Sequence, residues 1–195
     1  MKRIRIALAA LVLLPGFAGA ATYTIDPEHT SIQFKVRHMM ATNVVGAFQK
    51  FDGTVELDDK DISKSKVAIT IDTASLNSYV AKRDEHLRSP DFFDVAKYPT
   101  MTFVSQNVVA DGAGKLKITG DLTIRGITKR VLLDVEGPSA ESKDPWGNLR
   151  RGASATTKIY RQDFGLNWNA ALETGGFAVG DEVLITLEVE MIKAK

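Results

Sequence analysis

Residues 115–136 read KLKITGDLTIRGITKRVLLDVE, and this stretch decides the fold. Apolar and polar residues alternate from Lys115 to Ile124, which is the repeat of a half-buried strand and not that of a helix. Arg125-Gly126 interrupts the alternation, which resumes from Val131 to Glu136. The pattern predicts two long antiparallel strands that are joined by a tight glycine turn, each with one apolar face.

The length of these two strands limits the architecture. A strand of about ten residues spans roughly 33 Å, which is longer than the usual five or six residues. Its apolar face needs a second sheet or a closed barrel to cover it. The remainder of the chain must therefore supply further strands.

The N-terminal residues are predicted to be a secretory signal peptide. A basic start precedes the apolar run Ile6–Leu14, and the small residues Ala18–Ala20 offer a cleavage site before Ala21. The alternative, a membrane anchor, needs about 20 apolar residues, so this run is too short for it. We expect residues 1–20 to be cleaved, residues 21–195 to form one domain, and the protein to be periplasmic or secreted without an integral membrane segment.

Charge and cysteine content exclude several classes of function. Without the basic residues at positions 2, 3 and 5, 22 of the 25 Lys and Arg residues remain against 24 acidic ones, a net charge of −2. This balance argues against binding to nucleic acid or to anionic membrane surfaces. The chain has no cysteine, which excludes disulfides, thiolate catalysis and cysteine-ligated metal centres.

Alternation of the same kind predicts further strands along the mature chain. The pattern is less regular from Val44 to Leu57 than elsewhere. Strands or extended segments are expected around Tyr23–Asp26, Ile32–His38, Val44–Leu57, Val67–Ile71, Met101–Ser105, Ala153–Ile159 and Val183–Met191. The strand that contains Ala153 and Ala155 has small residues, which indicates that the inside wall is left open there. A short helix is expected near Tyr79–Arg88, closed by Ser89-Pro90, and its sparse apolar content suits a lid.

Together these elements predict an all-β domain of eight or nine strands with one helix after the third or fourth strand, and no alternation of strands and helices. A sandwich and a barrel both fit the period. Long strands in hairpin order favour an antiparallel up-and-down barrel of about eight strands, because closure removes the edges. Such a barrel is either filled with side chains or holds one small ligand, and the pattern alone leaves both open.

Five motifs follow one another along the mature chain: Asp26 with His29 and Ser31, Gly46–Phe48 with Phe51–Gly53, Arg83–Asp94 with Tyr98-Pro99, Gly120–Lys129, and Arg161–Gly165. In this order they resemble the YceI-like family, and the resemblance covers nearly the whole mature chain. Arg130 departs from the family pattern, which often has proline there.

The resemblance implies a lipocalin-like barrel that binds a long apolar lipid of the polyisoprenoid class in its interior, without enzymatic activity and without a cofactor. The apolar strand residues would then line a cavity, where the alternative is that they fill the core. The wall candidates are Phe34, Val36, Phe103, Ile118, Leu122, Ile124, Leu133 and Trp168.

The charged segment that follows the predicted helix start has two interpretations. In the first, its charges only solvate the surface of a lid. In the second, Arg83, His86 and Arg88 bind a phosphate head group while the tail of the lipid lies in the barrel. Phe92-Phe93 is the expected anchor of this lid. Binding does not require contact with a charged head group, since burial of the tail supplies the larger part of the binding free energy.

The residues that could support other chemistry do not form a recognisable motif. The three histidines, His29, His38 and His86, have no metal-ligand spacing, and no Gly-x-Ser-x-Gly motif is present, so neither a metal site nor a hydrolase is predicted. Two rival functions remain. One is an enzyme that acts on an isoprenoid and depends on His38, His86 or Arg161, and the other is a stress-related protein without a ligand. A homodimer is compatible with the sequence.

Overall fold

The computed structural model describes residues 19–173 and 175–195. The predicted signal peptide, residues 1–20, lies outside the described residues apart from its last two. Twelve strands are present: β1 (Ala21–Ile25), β2 (Ser31–His38), β3 (Thr42–Phe48), β4 (Phe51–Leu57), β5 (Lys66–Asp72), β6 (Leu76–Asn77), β7 (Thr100–Ala110), β8 (Lys115–Ile124), β9 (Ile127–Glu136), β10 (Ser142–Lys143), β11 (Leu149–Tyr160) and β12 (Val179–Lys193).

Eight of these strands form a closed antiparallel barrel, as predicted. Their order is β11-β9-β8-β7-β5-β4-β1-β12, and β12 returns to β11 through a continuous ladder from Arg150↔Ile192 to Tyr160↔Glu182. The long strand β12 pairs with β1 at its end and with β2 over its earlier residues. The hairpin β2–β3, with the short β6 beside it, therefore extends the wall at one end of the barrel.

The central hairpin has the predicted turn. Every residue of β8 from Lys115 to Ile124 is paired with β9, and Ile124 lies opposite Ile127. Arg125 and Gly126 both have positive φ angles, 52° and 73°, which is the geometry of a turn that matches the twist of the flanking strands. The inward faces of both strands carry their apolar residues, so the register follows from the period of two.

Two details of the prediction are corrected. The helix α1 covers Ala81–Arg88 and begins two residues later than expected, because Tyr79 has a φ of 67°, which is outside the helical region. The helix follows five full strands and the two-residue β6, not three or four strands. The reasons are that the short piece before Pro27 is a full strand, β1, which pairs with β4 and β12, and that the chain leaves the strand conformation between Phe48 and Phe51, which separates β3 from β4.

Three short 3₁₀ turns complete the described structure, at Ile62–Lys64, Thr73–Ser75 and Arg161–Phe164. None of the described helices is long and apolar enough to cross a membrane. The buried apolar residues form one large cluster around the barrel interior and a smaller one, which contains Tyr23 and Met191, at the end where β1 begins. The inward residues thus form a shell around a space at the centre of the barrel.

Candidate functional site

The barrel encloses a cavity of about 270 Å³. This volume lies near the lower end of the range of ligand pockets, about 300–1,000 Å³. Apart from Thr30, Gln33, Ser65, Thr157 and Arg161, the residues that line it are apolar. An apolar cavity of this kind offers water too few hydrogen-bond partners, so it favours an apolar ligand over ordered water.

Glycines in neighbouring strands keep the cavity open. A Cβ atom at Gly46 would overlap the ring of Phe34, which lies on the paired position of β2, and one at Gly120 would overlap the ring of Phe103. Each ring therefore lies flat over the backbone of the adjacent strand and does not cross the centre of the barrel. The small side chains of Ala153 and Ala155 also line the cavity, as the small-residue strand indicated.

Helix α1 and the loop after it cover part of the cavity. Leu87, Phe92 and Phe93 contribute to the lining. Phe93 contacts Phe48 edge to face, with ring centroids 5.7 Å apart, and Phe48 in turn packs 5.9 Å from Phe34. The lid is therefore attached to the wall by a continuous chain of aromatic rings.

The structure brings together all but one of the predicted wall residues. Trp168 does not line the cavity: it lies beyond the turn that follows β11, packs against the buried cluster, and contacts His86 and Phe92 with centroid distances of 4.8 and 5.3 Å. The role of the others in ligand binding stays a prediction. The wall candidates that line the cavity are Phe34, Val36, Phe103, Ile118, Leu122, Ile124 and Leu133.

The three predicted head-group residues have local partners. Arg83 donates from Nε to the hydroxyl of Ser78 at 2.7 Å, and Arg88 donates from Nε to the carbonyl of Ala74 at 2.9 Å. His86 pairs with Asp91 at 3.0 Å. None of the three lines the cavity, so the structure gives these side chains a part in holding the lid segment, and contact with a head group stays a prediction.

Arg161 is the charged residue of the cavity lining. The sequence analysis gave it a functional role only in the alternative hypothesis of an enzyme that acts on an isoprenoid. Its side chain is 4% exposed. The guanidinium donates to the backbone carbonyls of Gly180 at 2.8 Å, Trp168 at 3.0 Å and Val179 at 3.2 Å, and also to that of Leu166. Burial lowers the pKa of Arg161, which the nearby Asp181 partly opposes. The group remains cationic, since arginine is not deprotonated in proteins.

A charged network lies at the opposite end of β11. Arg150 donates to Asp144 at 2.7 Å and to Asp26 and Glu190, and these three carboxylates raise its pKa. Burial raises the pKa of Asp26, but hydrogen bonds from His29 and Arg150 outweigh it and hold this pKa below its usual value. The pKa of Asp144 is lowered in the same way by Arg150 and Asn148, against the effect of burial.

Within the described ranges, one group of side chains has the spacing of a metal site. Ligand atoms of Asp26, Glu28 and His29 lie within 4.8 Å of one another. The Asp26 carboxylate already accepts from His29 Nδ1 at 2.8 Å and from Arg150. Because the Asp26 carboxylate is already paired with a guanidinium and an imidazole, the geometry suits an ion-pair network and not a metal site.

Several lining residues were missed by the sequence analysis. Phe48, Ile69, Ile71 and Met101 line the cavity, and three of them lie on strands whose alternation would have identified them as inward. Phe48 needed the tertiary structure, since β3 ends there and β4 starts again at Phe51, so the two phenylalanines do not share one strand.

Comparisons with known proteins identify the family. The YceI-like domain model matches residues 23–191. A UPF0312 protein of Vibrio cholerae is 44% identical over 163 residues, which cover 83% of this chain and 86% of the relative. A UPF0312 protein of Shewanella denitrificans is also 44% identical, over 161 residues that cover 82% of this chain and 84% of the relative.

Solved structures show the same fold. BcnA of Burkholderia cenocepacia has a TM-score of 0.73 at 25% identity, covering 85% of this chain and 98% of its own. The Campylobacter jejuni YCEI protein has a TM-score of 0.69 at 31% identity, with 82% and 90% covered. A structure described as a polyisoprenoid binding domain from Saccharophagus degradans has a TM-score of 0.63 at 16% identity, with 90% and 99% covered. On the match of its sequence and its barrel, the chain belongs to the YceI-like family.

Proposed function

We propose that this protein binds a long apolar lipid of the polyisoprenoid class in the barrel cavity and shields or carries it in the periplasm, as a binding protein and not as an enzyme. The observation that carries this proposal is the cavity wall, which is apolar on nearly every strand of the barrel. The description of the Saccharophagus degradans structure as a polyisoprenoid binding domain supports the choice of lipid. The export signal predicted for residues 1–20 supports the compartment.

The energetics suit a lipid that binds through its tail. At about 0.8 kcal/mol per buried CH₂ group, an isoprene unit of about five carbons contributes roughly 4 kcal/mol. Association costs about 4–15 kcal/mol, so a few buried units leave micromolar affinity or better. The rings of Phe34 and Phe103 lie against the wall, which leaves the centre free for a chain.

The polar residues of the lining favour binding over catalysis. Among the described residues that line the cavity there is no histidine, carboxylate, lysine or tyrosine. The hydroxyl of Ser65 accepts a hydrogen bond from the Asp58 backbone at 3.0 Å, and the donors of Arg161 meet carbonyls. A nucleophile with an adjacent base, which covalent hydrolysis requires, is not formed by this set.

A variant whose cavity is filled by a larger side chain tests the proposal directly. Ala155 is buried and lines the cavity, whereas Ala68 is exposed on the outer face of β5. We expect Ala155→Phe to abolish binding of geranylgeraniol and solanesol, measured by fluorescence titration, because the new ring occupies the space of the tail. Ala68→Phe adds the same ring to the outer face and should bind as the wild type does. Equal binding by both variants would exclude the cavity as the site.

The natural ligand is identified by native mass spectrometry and organic extraction of protein purified from its own periplasm. A co-purifying prenyl lipid of defined mass would name the ligand. A protein that is empty and stays empty with farnesol, geranylgeraniol and solanesol would instead favour the hypothesis of a stress-related protein without a ligand.

A further inference from the structure

The junction between β9 and β11 differs from the other long junctions of the barrel. These two strands pair only at Ser154↔Glu136, Ala155↔Val135 and Thr156↔Asp134. By contrast, β9 is paired with β8 along its whole length, and β11 is paired with β12 from Arg150 to Tyr160. Beyond Thr156 the described parts of β9 and β11 are not paired, and we call this region the fork.

A groove of about 500 Å³ lies on the outside of the fork. Val131, Thr157 and Ile159 line both this groove and the inner cavity. A single layer of residues therefore separates the outside of the barrel from its interior at the fork. No ladder of hydrogen bonds joins the two strands there, so their separation costs less than elsewhere in the wall.

Phe164 closes the fork. The turn Arg161–Phe164 follows directly after β11 and contacts both β9 and β11. The side chain of Phe164 is 1% exposed, lines the groove and belongs to the buried cluster of the barrel. One aromatic side chain thus fills the space where backbone pairing is missing, and its movement breaks no backbone hydrogen bond between the strands.

The rim of the groove is rich in hydrogen-bond donors. Lys129, Arg130, Lys158 and Tyr160 line it, together with the carboxylates of Asp134 and Asp163. Arg130 pairs with Asp121 at 3.1 Å, Lys158 with Glu182 at 2.9 Å and Asp134 with Lys117 at 3.3 Å.

In the described part of the chain, Lys129 has no carboxylate within ion-pair distance. An ammonium group in this position is suited to an acceptor oxygen of a ligand, such as a phosphate, carbonyl or hydroxyl oxygen.

We propose that the fork is an additional part of the ligand site: the lipid tail enters the cavity between β9 and β11, and the outer groove holds the oxygen-bearing end of the lipid. This inference rests on the proposed function, since it requires a lipid in the cavity. It adds an entrance and a site for the head group, neither of which involves the lid residues Arg83, His86 and Arg88.

A disulfide tests the entrance, and the chain has no cysteine that would interfere. Asp134 and Thr156 are paired across the last rung before the fork, and both are exposed. We expect the oxidised double variant Asp134→Cys/Thr156→Cys to take up and release geranylgeraniol at least about tenfold more slowly than the same variant in its reduced form, with the same Kd in both forms, since a barrier changes rates and not the equilibrium. Reduction of the disulfide should restore the rates.

The matched control is Thr54→Cys/Ala68→Cys, an exposed pair across the fully paired junction of β4 and β5. Its oxidised form should exchange lipid as fast as the wild type. Equal rates in the two oxidised proteins would overturn the entrance. If the wild type binds no prenyl lipid at all, the proposed function fails instead, so the two failures are distinct.

Phe164→Leu provides a second measurement that does not depend on disulfide formation. A smaller side chain at the fork should accelerate both uptake and release of geranylgeraniol several-fold. An unchanged release rate in a folded Phe164→Leu protein would contradict the role of Phe164 as the closure of the entrance.

The head-group site is tested with geranylgeranyl phosphate and geranylgeraniol. We expect Lys129→Gln to weaken binding of the phosphate several-fold and to change that of the alcohol much less, because the ammonium group interacts more strongly with an anionic oxygen. The control Lys66→Gln removes an exposed lysine of β5 and should change neither affinity. An unchanged affinity for the phosphate in Lys129→Gln would overturn this part of the proposal.

Discussion

Two arginines lie at the two ends of β11 and have opposite surroundings. Arg150, at the beginning of the strand, is surrounded by the carboxylates of Asp26, Asp144 and Glu190. Arg161, directly after its end, donates to backbone carbonyls and lines the apolar cavity. The first charge is neutralised by fixed anions, and the second is held by the dipoles of carbonyl groups. Carboxylates therefore compensate the arginine at one end of β11, and backbone carbonyls compensate the arginine at the other.

The largest effect is expected from Arg161→Ala. The substitution removes the guanidinium N–H groups that donate to several backbone carbonyls, among them those of Gly180 and Trp168. We expect a loss of about 4 kcal/mol in the free energy of unfolding, since hydrogen bonds to a charged group contribute about 1.5–3 kcal/mol each and add only partly. Urea denaturation measures the loss. Arg161→Lys should recover only part of it, because lysine lacks the planar fork of donors.

Arg150→Ala should reduce stability less at neutral pH, by several degrees in the midpoint of thermal unfolding, and its effect should depend on pH. The pKa values of Asp26 and Asp144 are held below their usual value near 3.8. Their contribution to stability is therefore complete above that pH and is lost as the pH falls through the lowered values. The variant lacks the part of this contribution that Arg150 supplies, and it keeps the part that His29 and Asn148 supply.

The measurement for Arg150→Ala is thermal unfolding of wild type and variant from neutral pH to below pH 3.8. We expect the two curves to approach each other in acid, as the carboxylates of the wild type become protonated. The difference between the wild type and Arg161→Ala should change less over the same range, since Arg161 donates its hydrogen bonds to backbone carbonyls and the Asp181 carboxylate only partly opposes the effect of burial on its pKa. Parallel curves for Arg150→Ala would show that the carboxylates contribute nothing.

The smallest effect is expected from His29→Gln, which tests the outer part of the charged network. The hydrogen bond to Asp26 raises the pKa of His29 above its usual 6.5. The resulting stabilisation is complete below pH 6.5 and is lost as the pH rises through the raised value. Wild-type stability should thus decline slightly above pH 6.5 in urea titrations, while His29→Gln should be flat there. A decline of the same size in both proteins would assign it to another group.

Much of the fold was predictable because apolar and polar residues alternate with a period of two along the strands. The hairpin of β8 and β9 has the predicted turn and faces, since alternation fixes which side chains point inward. The wall candidates Ile118, Leu122 and Leu133 were found by the same rule. Trp168 was misplaced because it lies beyond the end of a strand, where the period gives no direction.

The environments of Arg150 and Arg161 were not predictable in this way. Asp26 is separated from Arg150 by most of the chain, and the carbonyls of Val179 and Gly180 reach Arg161 only because β12 closes on β11. The same is true of Gly46 beneath Phe34, which requires the register of two strands. Contacts of this kind depend on barrel closure, and a local pattern contains no information about it.

The strands, their apolar faces and the family followed from the amino-acid sequence, because these depend on alternation and motifs within short segments. Whether the apolar faces fill the barrel or surround a cavity depends on the three-dimensional fold, because rings that lie over glycines of adjacent strands leave the centre open. The fold also decided where the wall is weak, since the fork arises from the limited pairing of β9 with β11. Both the open centre and the fork depend on how distant segments of the chain are placed relative to one another. Only the closed barrel sets that placement.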